Sequence, residues 1–253
     1  MPDGTTAGER SRHLDWDGCL NLRDLGGLPT QDGRTTAWGA FVRGDTLCGL
    51  SDAGRDSVVG YGIRTVVDLR SALELEREPN PFAALPDSAT YLHHPLNDPA
   101  TEARLSVTET GAGRYVAMIE AGGARLARIF AAFARAADGG ILFHCFAGRD
   151  RTGIVAALLL RLAGVGVDAI IEDYEVTDGR LRARYDQWLT KLEGTSRARF
   201  LSSLEERGHP IRSALAHVAE GYGSVGTYLE EHGTARADIE RVRRRISGAA
   251  DSS

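Results

Sequence analysis

Residues 140–153, Gly-Ile-Leu-Phe-His-Cys-Phe-Ala-Gly-Arg-Asp-Arg-Thr-Gly, limit the possible folds more than any other part of the chain. The short apolar run Ile141, Leu142, Phe143 reads as a buried strand that delivers His144 and Cys145 to a sharp turn. The turn runs into a helix beginning near Thr152, whose face Ile154, Val155, Leu158, Leu159 and Leu162 is apolar. A loop wrapped on a helix N-terminus aims several backbone N–H groups at one spot and adds the positive end of the helix dipole. Gly148 lets that backbone approach a ligand closely. The segment therefore reads as an anion cradle between a sheet and a helix.

The rest of the chain fits such a sheet. Strand-like runs fall at residues 40–43, 65–69, 91–94 and 140–145. Helical patterns fall at 52–61, 114–137, 152–163, 167–176, 180–193, 211–217, 225–232 and 235–246. Early strands alternating with helices, then a helical C-terminal third, indicate an α/β fold. The length of 253 residues suits one large domain, placed at 13–246, with a disordered lead at 1–12 and a similar tail at 247–253. The Gly- and Thr-rich stretch 98–113 is the expected mobile loop over a site. The longest apolar run, 154–160, is far too short to cross a bilayer, so no stable membrane insertion is expected. Residues 1–13 lack an apolar stretch behind a basic start, which leads to the expectation of no secretory signal and a cytoplasmic location. A net charge of −5 argues against a non-specific nucleic-acid binder. Positive charge is almost all arginine, Lys191 being the single lysine.

Three cysteines, Cys19, Cys48 and Cys145, are too few and too scattered for a disulfide framework or a zinc cluster, so no such metal site is expected. Cys145 opens the loop and Arg151 closes it after five intervening residues. There the N–H groups, the dipole and the guanidinium all favour thiolate over thiol. Arg151 can also hold a phosphate bidentately. The groups that stabilise a thiolate equally stabilise the equatorial oxygens of a phosphoryl group in transfer, so nucleophile and oxyanion cradle coincide. The bland alternative, an inert buried cysteine, has no electropositive cradle. Cys19 and Cys48, with no cation cluster or helix start beside them, read as packing residues. His93 and His94 are neighbours on a strand and point to opposite faces, so they do not share a metal ion. Asp68 and Arg70 read as a structural pair at a strand end, and Arg241, Arg243, Arg244 and Arg245 as a solvated face. The segment 21–27 is either a packing strand and turn or a site-lining element through Arg23 and Asp24.

The spacing Cys-x5-Arg-Thr after a histidine resembles the signature of the cysteine-dependent tyrosine and dual-specificity phosphatases. The fuller string from His144 to Gly153 is similar to a bacterial branch of that family, the tyrosine/serine phosphatases. Asn21-Leu-Arg-Asp-Leu-Gly-Gly27, Val67-Asp-Leu-Arg-Ser71, Pro95-Leu-Asn-Asp98, Ile171-Glu-Asp-Tyr174 and Tyr222-Gly-Ser-Val-Gly-Thr-Tyr-Leu229 match further motifs of the branch in order. The resemblance implies a phosphatase fold with a central, mainly parallel sheet flanked by helices, and hydrolysis of a phosphomonoester through a phosphocysteine without a cofactor. Cys145 would be the nucleophile, Arg151 the phosphate clamp and Thr152 a donor to the sulfur. His144 would organise the loop, and Asp98 would be the general acid. Phe146, Ala147, Gly148, Arg149, Asp150 and Arg151 would surround the phosphate. Two positions depart from the branch: Arg149 replaces a common lysine, keeping charge but changing reach, and Asn97 stands where a proline is common before the acid. Asp150 is the rival acid. The implied partner is a phosphorylated protein, phosphotyrosine first and phosphoserine or phosphothreonine second. The alternatives are a phosphoinositide or small phosphorylated metabolite, a Cys-x5-Arg arsenate reductase, and a non-catalytic reader of phospho-residues.

Overall fold

The strand that leads into Cys145 lies at the centre of a five-stranded sheet. Its strands are β1 (Arg23–Asp24), β2 (Phe41–Gly44), β3 (Ile63–Asp68), β4 (Thr90–His93) and β5 (Gly140–His144), in the spatial order β1-β2-β5-β3-β4. Only β1 runs antiparallel to its neighbour; β2, β5, β3 and β4 are parallel. The computed structural model describes residues 10–98, 101, 103, 105, 111–206 and 208–248. The expected disordered ends at 1–9 and 249–253 lie outside those residues.

Helices α1 (Asp52–Gly60) and α2 (Ala72–Arg77), with a 3-10 turn at Pro81–Ala84, fall between the early strands. Helix α3 (Gly111–Arg135) precedes β5, and α4 (Asp150–Leu162) follows it. The C-terminal part is helical throughout: α5 (Val167–Arg180), α6 (Arg182–Leu189), α7 (Gly194–Glu205), α8 (His209–Tyr222), α9 (Val225–Glu231) and α10 (Arg236–Ser247). Alternation along the strands gives each face of the sheet its own core. Phe41, Val67, Ile141 and Phe143 pack with α3, α4 and the C-terminal helices, whereas Val42, Val66 and Leu142 pack with Val58, Phe82 and the N-terminal segment. Helix α4 is covered on nearly every side, with ten of its 13 residues buried, so it is a central helix rather than a one-faced surface helix. No helix of the described residues is long and apolar enough to cross a membrane.

Three local expectations change. The pattern at 180–193 is not one helix, because Leu181 separates α5 from α6. Helix α7 has no apolar period to read and buries none of its residues. Of the expected mobile loop at 98–113, Gly111 to Gly113 belong to α3, and residues 99, 100, 102, 104 and 106–110 lie outside the described residues. The arginines of α10 are also more than a solvated face. Arg245 donates to the carbonyls of Ala136 (3.1 Å), Ala137 (2.5 Å) and Gly139 (2.5 Å), tying α10 to the turn between α3 and β5.

Candidate active site

Parallel pairing sets where the site can form. Gly44 of β2 and Asp68 of β3 both lie opposite His144 of β5, so the three central strands end level with one another. The segments that follow them rise from one edge, beyond the carboxyl ends of the strands.

The loop after β5 can be read by asking where each carbonyl goes. The oxygen of Cys145 faces His144 Nδ1 at 3.0 Å, and that of Phe146 accepts from the N–H of Thr46 at 2.9 Å. The oxygen of Ala147 accepts from Asn21 Nδ2 at 3.1 Å, and that of Gly148 from Arg43 Nη2 at 2.8 Å. Four consecutive carbonyls are thus bound on the outer side of the loop. In a trans peptide the next N–H points opposite to the carbonyl, so the N–H groups of residues 146, 147, 148 and 149 turn to the inner side. Gly148 permits this path: its φ is +70°, and a Cβ there would come within 2.5 Å of the Gly44 carbonyl oxygen.

Each donor is itself held. With its Nδ1 facing a carbonyl, His144 carries the proton on Nδ1 and accepts at Nε2 from Asn80 Nδ2 (2.9 Å). Burial pushes its pKa below the ordinary histidine value, outweighing the Asp68 carboxylate 3.4 Å away. Asn21 is fixed through its Oδ1 by Arg23 at 2.7 Å and through its N–H by Asp45 at 2.9 Å. Arg43 is paired with Asp173 at 2.7 Å; Arg23 reaches the same carboxylate at 3.1 Å, and Arg12 also contacts it. Burial opposes the charge of Asp173, but Arg23 and Arg43 outweigh it and hold the carboxyl well below the usual range. Burial and the neighbouring Arg43 charge bring Arg23 down to about 10. Three guanidinium groups therefore share one carboxylate behind the loop. This resolves the two readings of segment 21–27: Arg23 and Asp24 are buried braces, Asp24 accepting from the N–H groups of Gly26 and Gly39 at 2.7 Å each.

Inside the curve, Cys145 is 2% exposed and faces a cavity of about 390 Å³ together with Ala147, Asp150 and Arg151. The opposite wall comes from α6, α7 and the turn between them: Trp188, Lys191, Leu192 and Phe200. Phe146 stacks on Trp188 with ring centroids 5.8 Å apart, giving the cavity an aromatic side. Arg151 makes a two-pronged pair with Glu74, Nη1 to Oε2 at 2.5 Å and Nη2 to Oε1 at 2.8 Å. Glu74 also accepts from the Ser71 N–H at 2.8 Å, as the return half of the capping box that starts α2. Burial opposes its charge, but Arg151 and the Ser71 donors prevail and hold the carboxyl at about 2. The hydroxyl of Thr152 is buried with no hydrogen-bond partner among the described residues.

The two candidate acids stand in different places. Asp150 faces the Cys145 cavity and accepts from the Tyr115 hydroxyl at 2.5 Å; that hydroxyl lies 2.6 Å from the one of Tyr174. Asp98 accepts from the Thr101 N–H at 2.6 Å and pairs with Arg125, and it does not line the cavity. The Thr101 N–H first, then Arg125, keep its carboxyl below the ordinary aspartate value. The Arg149 side chain also leaves the cavity. It donates to the Ser203 carbonyl at 2.6 Å and lies 3.4 Å from Asp178, so only its backbone remains on the loop. Cys19 is buried, as expected of a packing residue, but Cys48 has a cation beside it, Arg70 Nη1 at 3.2 Å. Asp68 and Arg70 form the expected buried pair at 2.7 Å.

Sequence reasoning missed the parts played by Glu74, Asn21, Arg43 and Asp173, and the Trp188 and Phe200 side of the cavity. Glu74 had a readable signal in the Ser71-x-x-Glu74 spacing of a capping box, and Asn21 and Asp173 stood in matched motifs that did not reveal what they hold.

A sequence model described as the tyrosine phosphatase family matches residues 14–248. A provisionally named tyrosine-protein phosphatase of Cupriavidus necator is 31% identical over 254 residues, covering 94% of this chain and 89% of the relative. The tyrosine-protein phosphatase of Nostoc commune is 29% identical, covering 83% of this chain and 75% of the relative. The triple specificity protein phosphatase PtpB of Mycobacterium tuberculosis is also 29% identical, covering 89% and 96%.

Proposed function

Because the chain belongs to the tyrosine phosphatase family, we propose that it hydrolyses phosphotyrosine in proteins through a phosphocysteine at Cys145. The observation that carries this reading is the outward binding of four successive loop carbonyls. It leaves the intervening N–H groups, Arg151 and the buried thiol facing one cavity.

In this reading the Cys145 thiolate attacks phosphorus while the loop N–H groups and Arg151 hold the equatorial oxygens. The P–O bond to the phenol breaks and the departing oxygen takes a proton. Water then attacks the phosphocysteine, returning the sulfur and releasing inorganic phosphate. Glu74 keeps Arg151 in the geometry of a planar fork before substrate arrives. His144, neutral and linked to the Cys145 carbonyl, orders the loop from behind and does not reach substrate. Thr152, whose hydroxyl has no partner among the described residues, is assigned the donor role toward the sulfur when it leaves. We place the general acid at Asp150 rather than Asp98, because Asp150 shares the cavity with Cys145 while Asp98 faces Arg125. The aromatic side formed by Phe146 and Trp188 suits the ring of phosphotyrosine.

The test is phosphate release from phosphotyrosine, phosphoserine and phosphothreonine peptides in EDTA, with Cys145→Ser as control. Phosphotyrosine turnover that disappears in the variant is the expected result. Cys145-dependent release from a lipid or metabolite alone would keep the mechanism and overturn the substrate. A general acid must start protonated, so kcat falls as pH rises through its pKa. Asp150→Asn should remove that limb; its removal by Asp98→Asn instead would return the role to Asp98.

A further inference from the structure

A second cavity, of about 400 Å³, adjoins the one that holds Cys145, and Ala147, Asp150, Trp188 and Phe200 line both. Its charged groups come from two helices and the loop: Arg114 on α3, Arg149 and Asp150 at the loop, Arg199 and Glu206 at α7. Most of these are already engaged. Asp150 holds the Tyr115 hydroxyl, Arg149 reaches Ser203 and Asp178, and the Glu206 carboxylate lies against Gly111 at the start of α3. Arg199 has an interaction of its own. Arg114 is the exception: it is half-buried, and neither a hydrogen bond nor an ion pair reaches it among the described residues.

An arginine on a cavity wall without a protein acceptor keeps only water as the partner of its guanidinium. An anion entering the cavity would replace it, and a planar fork fits a carboxylate well. A phosphotyrosine held at Cys145 would place the next peptide residues about 3.5 Å apart along an extended chain. A side chain one or two positions away can therefore enter a cavity that shares a wall with the first. Building on the phosphotyrosine reading, we propose that this second cavity is a specificity subsite. It receives an acidic side chain flanking the phosphotyrosine of a substrate peptide, with Arg114 as its partner. Lys191, on the Cys145 cavity, is the rival cation; it is an exposed ammonium on a flexible stem rather than a group set into the second cavity.

The experiment compares kcat/KM for two phosphotyrosine peptides, one with glutamate flanking the phosphotyrosine and one with glutamine there. Wild-type enzyme, Arg114→Met, Arg114→Lys and Lys191→Met are measured side by side. The expected preference for glutamate is about tenfold, the size of one charge-assisted hydrogen bond. It should collapse toward unity in Arg114→Met, return in part in Arg114→Lys and persist in Lys191→Met. Equal turnover of both peptides by wild type overturns the subsite, as does a preference that survives Arg114→Met or vanishes only in Lys191→Met. Failure of every peptide while a small aryl phosphate is still hydrolysed overturns the phosphotyrosine reading itself, and the subsite with it.

Discussion

Glu74 lies outside the loop, yet it holds the guanidinium expected to meet every phosphate. Its two oxygens engage Arg151 in parallel, and one also closes the capping box of α2, so the start of a helix and the aim of the clamp depend on one carboxylate. Glu74→Gln should lower kcat/KM about ten- to a hundredfold, the span of one or two charge-assisted bonds, with the circular dichroism spectrum unchanged. The pH dependence has a definite sign. The folded carboxyl sits at about 2, below its ordinary value of about 4.3. The pairing therefore contributes its full stability above the ordinary value and loses it as pH falls toward the lower one. Acid titration of wild type should show an unfolding component in that window that is missing from Glu74→Gln.

At the scale of elements, α4 and α7 are opposites. The first is buried almost all round, while the second has no buried residue, yet supplies Phe200 to the wall facing Cys145. Local stability follows buried apolar contact, so backbone amides of α6 and α7 should exchange with deuterium far faster than those of α4. Mass-spectrometric exchange checks this, and equal protection of the two groups would contradict it. The same contrast governs what could be read in advance. Residues 140–163 were legible because strand, turn and buried helix each leave a short-range pattern, and Cys145 and Arg151 follow from spacing alone. Helix α7 left no such pattern because none of its side chains is committed to the core. The bracing roles of Asn21, Arg43 and Asp173 were hidden for another reason: their partners lie more than a hundred residues away along the chain, at Ala147, Gly148 and Arg43 respectively. The expectation that Asp98 is the acid and the proposal of Asp150 differ for a similar reason. Motif order put that residue near the site, but the Thr101 N–H and Arg125 hold its carboxylate elsewhere.

For the molecule as a whole, the loop is fastened to distant parts of the chain through one buried cluster. Asp173 of α5 faces Arg43 of β2, Arg23 of β1 and Arg12 of the N-terminal segment, and Arg43 passes the constraint to the Gly148 carbonyl. A buried carboxylate removed from among arginines leaves their charges uncompensated, a loss of about 3–5 kcal/mol. Set against a total stability of about 5–15 kcal/mol, that is a large fraction. Asp173→Asn should lower the midpoint of urea unfolding accordingly, without substrate present. A change within about 0.5 kcal/mol, typical of surface substitutions, would show that the cluster is not what ties the segments together.

The single lysine of the chain opens on the cavity that holds Cys145, within the same lining as Trp188. Once the α-amino group has been capped, an amine-reactive dye has one address on the whole protein. That address is the doorway to the Cys145 thiol. A fluorophore there, beside an indole able to quench it, would turn each arrival and departure of a ligand into an optical signal, with no residue added or removed.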